Sequence, residues 1–268
     1  MLEHDTQSTL ALTIPLSLYT FSLSHFSEKI RWALEESRVP FTEVAWTPVF
    51  HFPRALRSGG VTVPIVEHDG KRVRDSTRIL HWLIDRYQPT HLLPEDLSSF
   101  WAIEERFDEI GDHVTRYAYS ESLTNARVVV PLWTIDASPR EGRFIRRQYP
   151  VIRWVFARRL RLNARNVAHS RSIIESGLTW LEARVSATKP YLVGERFTYA
   201  DITAAALLAP LACPDEHPVY STHCYRDCVD SVTRDWRDRP AFDWVRTIYR
   251  LHRSRSPRAA YIASRLAR

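Results

Sequence analysis

Ser22, Ser24 and Ser27 stand close together in "FSLSHFSEKIRWALEE" (21–36), with His25 between them and Lys29 just behind. A hydroxyl at a helix start has two uses. It caps the free amides of the first turn, or it donates its proton to an anion whose charge the helix dipole also favours. Asp75-Ser76, opening "DSTRILHWLIDRYQP" (75–89), has the same double potential. Thr198 and Asp201 in "FTYADITAAALLAPL" are spaced as a capping box, with Phe197 and Ile202 set as a hydrophobic staple, so their role reads as structural. Cys213, Cys224 and Cys228, with His217 and His223 nearby, lack the CxxC pairing of zinc sites, and no metal is expected. Three cysteines in a long chain also argue against a disulfide framework.

Positioning these residues takes two kinds of element. "IPLSLYT" (14–20) reads as a strand, and Phe26, Ile30, Ala33 and Leu34 give the next helix its apolar stripe before Arg38 and Pro40 end it. "FTEVAW" (41–46) is a second strand, and 47–60, broken by Pro48, Pro53 and Gly59-Gly60, allows a short irregular helix at most. In "VTVPIVEHDGKRVRDS" (61–76) two apolar runs flank Asp69-Gly70, a hairpin turn. Pro64 opens the first of them, where an X-Pro bond adopts cis at small cost. A helix follows from 75 to 89. Beyond the linker, helical periodicity appears in 98–125, 140–165, 170–187, 200–212 and 240–252, and "VVVPLW" (128–133) reads as a helix break at Pro131. The expected division is an extension (1–13), an α/β domain (14–88), a linker (89–97), an all-helical domain (98–252) and a basic tail (253–268).

At 268 residues, with 44% apolar and 12% aromatic content, the chain can bury a sizeable core. Seven glycines leave no Gly-rich phosphate loop. "LALTIPLSLYTF" (10–21) is too short to span a bilayer and lacks a basic flank, so a cytoplasmic protein without membrane insertion is expected. The formal charge of +6 lies entirely beyond residue 90, since ten basic residues balance ten acidic ones before it. Much of the excess sits in "RFIRRQYPVIRWVFARRLRLNAR" (143–165) and in the tail. Both read as solvated helix faces whose apolar residues pack on a core, and nothing in them reads bases, so no nucleic-acid partner is expected.

In their order and spacing, three stretches make the chain resemble the glutathione transferase family. "LYTFSLSHFSEKIRWALEE" (18–36) is similar to the family's first strand, active-site loop and first helix. "VPIVEHDGKRVRDSTRILHWL" (63–83) resembles its Val-Pro, hairpin and acidic-Ser signature, and "YLVGERFTYADITAAALLAPL" (191–211) its C-terminal core helix. The resemblance implies a thioredoxin-like N-terminal domain, an all-helical C-terminal domain, glutathione as co-substrate, an apolar electrophile between the domains, and a homodimer.

It also implies site residues. Val63 and Pro64, the latter after a cis peptide, would bind the cysteinyl part of glutathione, and Asp75 and Ser76 its γ-glutamyl end. Tyrosine-type members place their tyrosine ten residues before the Ile of the helix, which here lands on Thr20, while strand alternation turns Tyr19 to the opposite face. Serine-type members place theirs just before the helix. Ser24 matches and would be catalytic, with Phe26 also at the glutathione site and Ser22 and Ser27 as competitors. The approach "RSGGVTVP" departs from the family pattern by a displaced glycine, leaving Arg57 or His51 as cations for the glycyl carboxylate. Conjugation, dehalogenation, isomerisation and peroxide reduction would all use the same thiolate. The alternative is a non-catalytic module of transferase shape with a basic helical surface.

Overall fold

A computed structural model describes residues 16–50, 62–254 and 258–266. The expected extension, the stretch from 51 to 61 with His51 and Arg57, and residues 255–257 and 267–268 lie outside the described residues. β1 (Leu16–Thr20) alternates buried and half-buried positions, with Leu16, Leu18 and Thr20 inward. It pairs parallel with β2 (Phe41–Ala45) and antiparallel with β3 (Ile65–His68), which pairs with β4 (Lys71–Arg74). The sheet order is β2-β1-β3-β4. Asp69 and Gly70 both take positive φ, 52° and 70°, as a two-residue hairpin turn requires. Between β1 and β2 runs α1 (His25–Glu36), and after β4 comes α2 (Ser76–Tyr87).

The rest is helical: α3 (Leu97–Ser122), α4 (Ala126–Trp133), α5 (Pro139–Arg159), α6 (Ala164–Glu182), α7 (Tyr199–Ala212), α8 (His223–Thr233), α9 (Pro240–His252) and α10 (Ala259–Leu266). A small mixed α/β domain is thus followed by an all-helical one, as the sequence predicts. α7 is buried along its whole length because it is apolar on every side and packs against α1, α3 and α9 at once. Its start is fixed by Asp201, whose carboxylate accepts the Thr198 N–H at 2.9 Å and the Leu192 N–H at 2.9 Å.

Several elements differ from the expectations. "VVVPLW" belongs to α4, with Pro131 inside it, because burial of Val129, Val130, Leu132 and Trp133 outweighs the missing proline hydrogen bond. The stretch 140–165 is not one helix. It breaks where Arg161 takes φ 52°, and Asn163 then caps α6 by accepting the Asn166 N–H at 2.9 Å. α8 and α10 carried no clear sequence signal. The tail does not stand off in solvent: Arg253 donates to Glu28, Arg258 to Asp136, and Arg265 to the Ile135 carbonyl.

Candidate active site

The turn after β1 sorts the three serines. Ser22 donates to Asp136 Oδ2 at 2.6 Å and is committed to the helical domain. Ser27 is fully buried in α1. Ser24 is the N-cap of α1, and its Oγ accepts the Ser27 N–H at 3.1 Å. That contact uses a lone pair and leaves the hydroxyl proton available, so capping and anion binding are compatible here. Of the three, only Ser24 lines the cavity between the domains. Tyr19 donates to Glu67 at 3.2 Å and packs its ring, tilted, against Trp46, and it does not line that cavity.

The cavity measures about 400 Å³. Its polar edge holds Ser24, His25 and Thr62, with Val63, whose peptide to Pro64 is cis, beside them. An apolar wall comes from the helical domain and includes Leu132, Trp133, Ile152, Phe156 and Val229. Phe26 lines it too and packs so closely on α3 that a Cβ at Gly111 would lie 2.9 Å from its ring.

Asp75 and Ser76 lie at the start of α2. The exposed Asp75 carboxylate caps that helix by accepting the Arg78 N–H at 3.1 Å. The Ser76 hydroxyl is buried, accepts from Lys29 at 3.2 Å and donates to Asp108 at 3.1 Å. Lys29, itself fully buried, also donates to Glu104 and Asp108 of α3. The Ser76 side chain therefore ties the two domains together, and what is left open at the helix start are the amides of Ser76 and Thr77, that of Arg78 being taken by Asp75. Beside them Asp112 is an acid pushed up by burial and then by the negative charges of Asp108 and Asp75. That makes an acidic corner next to free amides. Among the described residues, no group of three or more His, Cys, Asp or Glu is arranged to hold a metal ion.

Comparison with known proteins now decides the family. Residues 18–91 match the glutathione S-transferase N-terminal domain, and residues 164–262 match the C-terminal domain of the same proteins, together well over half of the chain. The chain belongs to the glutathione S-transferase family. A transferase from Methylobacterium radiotolerans, solved with glutathione sulfonate, is 22% identical over 85% of this chain and 93% of its own, with a TM-score of 0.52. A transferase from Methylobacillus flagellatus, solved with glutathione, is 17% identical over 86% and 98%, TM-score 0.51. A diazinon-metabolizing transferase of the silkworm Bombyx mori is 16% identical over 94% and 97%, TM-score 0.53. These likenesses show the shared fold. No curated protein matches the chain.

Within this family member, α4 and α5 lie outside both matched domains and supply much of the apolar wall. Sequence reasoning also missed the residues that hold the Ser24 turn. Tyr220 donates to the Leu23 carbonyl at 2.9 Å, and Asp136 accepts from Ser22. Both come from segments without a motif, and only a search for polar residues amid apolar runs would have marked them. His25 is buried, with Nε2 3.0 Å from the Gly111 carbonyl oxygen.

Burial pushes the His25 imidazole down to about 4, against a hydrogen bond to Gly111 that favours the charged form, and pushes His217 down to about 3. Both are neutral in the fold at pH 7. As pH falls below 6.5, their ordinary value, the unfolded chain takes up protons that the folded chain refuses, so stability present above that pH is lost on acidification. Each histidine is expected to cost roughly 2 kcal/mol by pH 5. Denaturation midpoints measured from pH 7 to 5 check this, and a flat profile overturns it. His25→Gln is expected to make the slope shallower.

Proposed function

We propose that the protein is a serine-type glutathione transferase, in which Ser24 stabilises the glutathione thiolate for attack on an apolar electrophile. The observation that carries this reading is that Ser24, already capping α1 through its lone pair, lines the one cavity edge that also holds Val63 before a cis proline. Its free O–H and the positive end of α1 both favour a sulfur anion there. The residues fit the rest of the tripeptide. The backbone at Val63-Pro64 and the Phe26 side take the cysteinyl part, and the first-turn amides at Ser76 take the γ-glutamyl carboxylate. The corner of Asp75, Asp108 and Asp112 takes its ammonium. The relatives solved with glutathione or its sulfonate support the same ligand.

The apolar wall from α3, α4, α5 and α8 gives the second substrate a largely hydrocarbon surface, so binding there rewards lost apolar area. Nucleophilic substitution or addition then needs only the thiolate and a held electrophile. A homodimer in the cytoplasm belongs to the same reading.

The test is turnover of an activated aryl halide with glutathione, alongside calorimetric titration of glutathione alone. Saturable binding with turnover supports an enzyme. Retention on immobilised glutathione without turnover supports a non-catalytic module, and the absence of both binding and turnover sinks the glutathione reading.

A further inference from the structure

α5 carries seven arginines and a single acidic residue, Glu141, whose carboxylate is used at the helix start, where it accepts the Ser138 N–H at 2.8 Å. Arg140, Arg143, Arg147 and Arg158 recur at helical spacings of three, four and eleven and are all exposed. Among the described residues none of the four is within ion-pair reach of a carboxylate. On the same face Phe144 is 46%, Val151 59%, Trp154 57% and Val155 50% exposed, contrary to the expectation that such residues pack on the core. The opposite face, with Gly142, Ile145 and Tyr149, is buried. The outer face meets the cavity mouth, because Val151 and Val155 also line the cavity.

We propose that this face of α5 seats the protein on an anionic lipid bilayer, with the cavity mouth turned toward the membrane. A helix lying in the interface uses both residue kinds at once: arginines reach headgroup phosphates while Phe, Trp and Val sink to the acyl boundary. Arg158 stands 4.5 Å over the Trp154 ring, pairing a cation with an interfacial aromatic. Other occupants fit less well. A second copy that set this same face against itself across a two-fold axis would put arginines against arginines. A nucleic acid would use the arginines and leave the two valines without a partner. Resting on the transferase reading, the seating also names a substrate class: apolar electrophiles dissolved in the lipid, which reach the cavity without crossing water.

The experiment is co-sedimentation of the full chain with vesicles of phosphatidylcholine alone and of equal parts phosphatidylcholine and phosphatidylglycerol. Binding is expected only to the anionic vesicles and is expected to fall with added salt. The triple variant Arg143→Gln, Arg147→Gln, Arg158→Gln is expected to bind on the order of a hundredfold more weakly, and Trp154→Ala several-fold more weakly. Both should keep the wild-type melting temperature and the turnover of a water-soluble electrophile. Absent vesicle binding, or binding that ignores these substitutions, overturns the proposal. So do tighter binding to a DNA duplex than to vesicles, and self-association abolished by the triple variant. Turnover without vesicle binding would sink the seating alone, and vesicle binding without turnover would sink only the substrate class.

Discussion

Ser24→Ala is expected to lower kcat/KM for glutathione-dependent turnover about 30-fold, the loss of one hydrogen bond to a charged sulfur worth about 2 kcal/mol. The same loss should raise the pH at which kcat/KM levels off by more than one unit, because a less stabilised thiolate forms only in more alkaline solution. The pH shift separates a thiolate partner from a mere cap. Removing the cap alone costs about 1 kcal/mol of stability and leaves the thiol's titration where it was. Ser24→Thr keeps the hydroxyl and is expected to recover much of the rate. Stopped-flow turnover across pH reads all three, and a Ser24→Ala enzyme with an unmoved pH profile would refute Ser24 as the thiolate's partner. Ser22→Ala should leave that profile unchanged, since its hydroxyl serves Asp136.

One turn further along α1, Glu28 is completely buried and accepts from Arg31 and, at 2.8 Å, from Arg253 Nε. Burial alone would push its carboxyl up, but Arg253 and Arg31 together hold it down at about 2. Arg253 reaches on to Glu35, so both carboxylates on this side of α1 are clasped from the end of α9. Breaking such a pair leaves an uncompensated buried charge, which costs far more than the pair's net worth. Arg253→Ala is expected to lose about 3–5 kcal/mol, lowering the melting temperature on the order of 10 °C for a chain of this size. Removing residues 253–268 should give at least that loss, because Arg258 and Arg265 go with it. Scanning calorimetry decides. A shift of less than about 2 °C, within the spread of ordinary surface substitutions, would show that the clasp contributes no net stability.

Among the described residues, the order of strands and helices to residue 88 was legible because each element there carries its own punctuation. Pro40 follows α1, Asp69-Gly70 makes the hairpin, and Asp75 and Pro89 bracket α2. The capping box of α7 was legible for the same local reason, since Asp201 satisfies the Thr198 amide within one turn of itself. These are short-range preferences of backbone and side chain, and sequence spacing states them directly.

Which serine reaches the cavity was a different matter. It depended on Asp136, more than a hundred residues away, taking Ser22, and on Tyr220 holding the Leu23 carbonyl. Ser76 likewise carries its family position in the sequence, yet its hydroxyl is spent on Lys29 and Asp108 because α3 brings a carboxylate to it. The arginines of the tail and of α5 look alike as text. Arg253 is 6% exposed against Glu28, while Arg143 and Arg147 face outward, and only the packing of α9 on α7 and of α10 on α4 separates them. Local geometry and periodicity are properties of neighbours along the chain, so residue order alone determined them. Partners for charges and hydroxyls are neighbours in space, and those the tertiary structure alone decided.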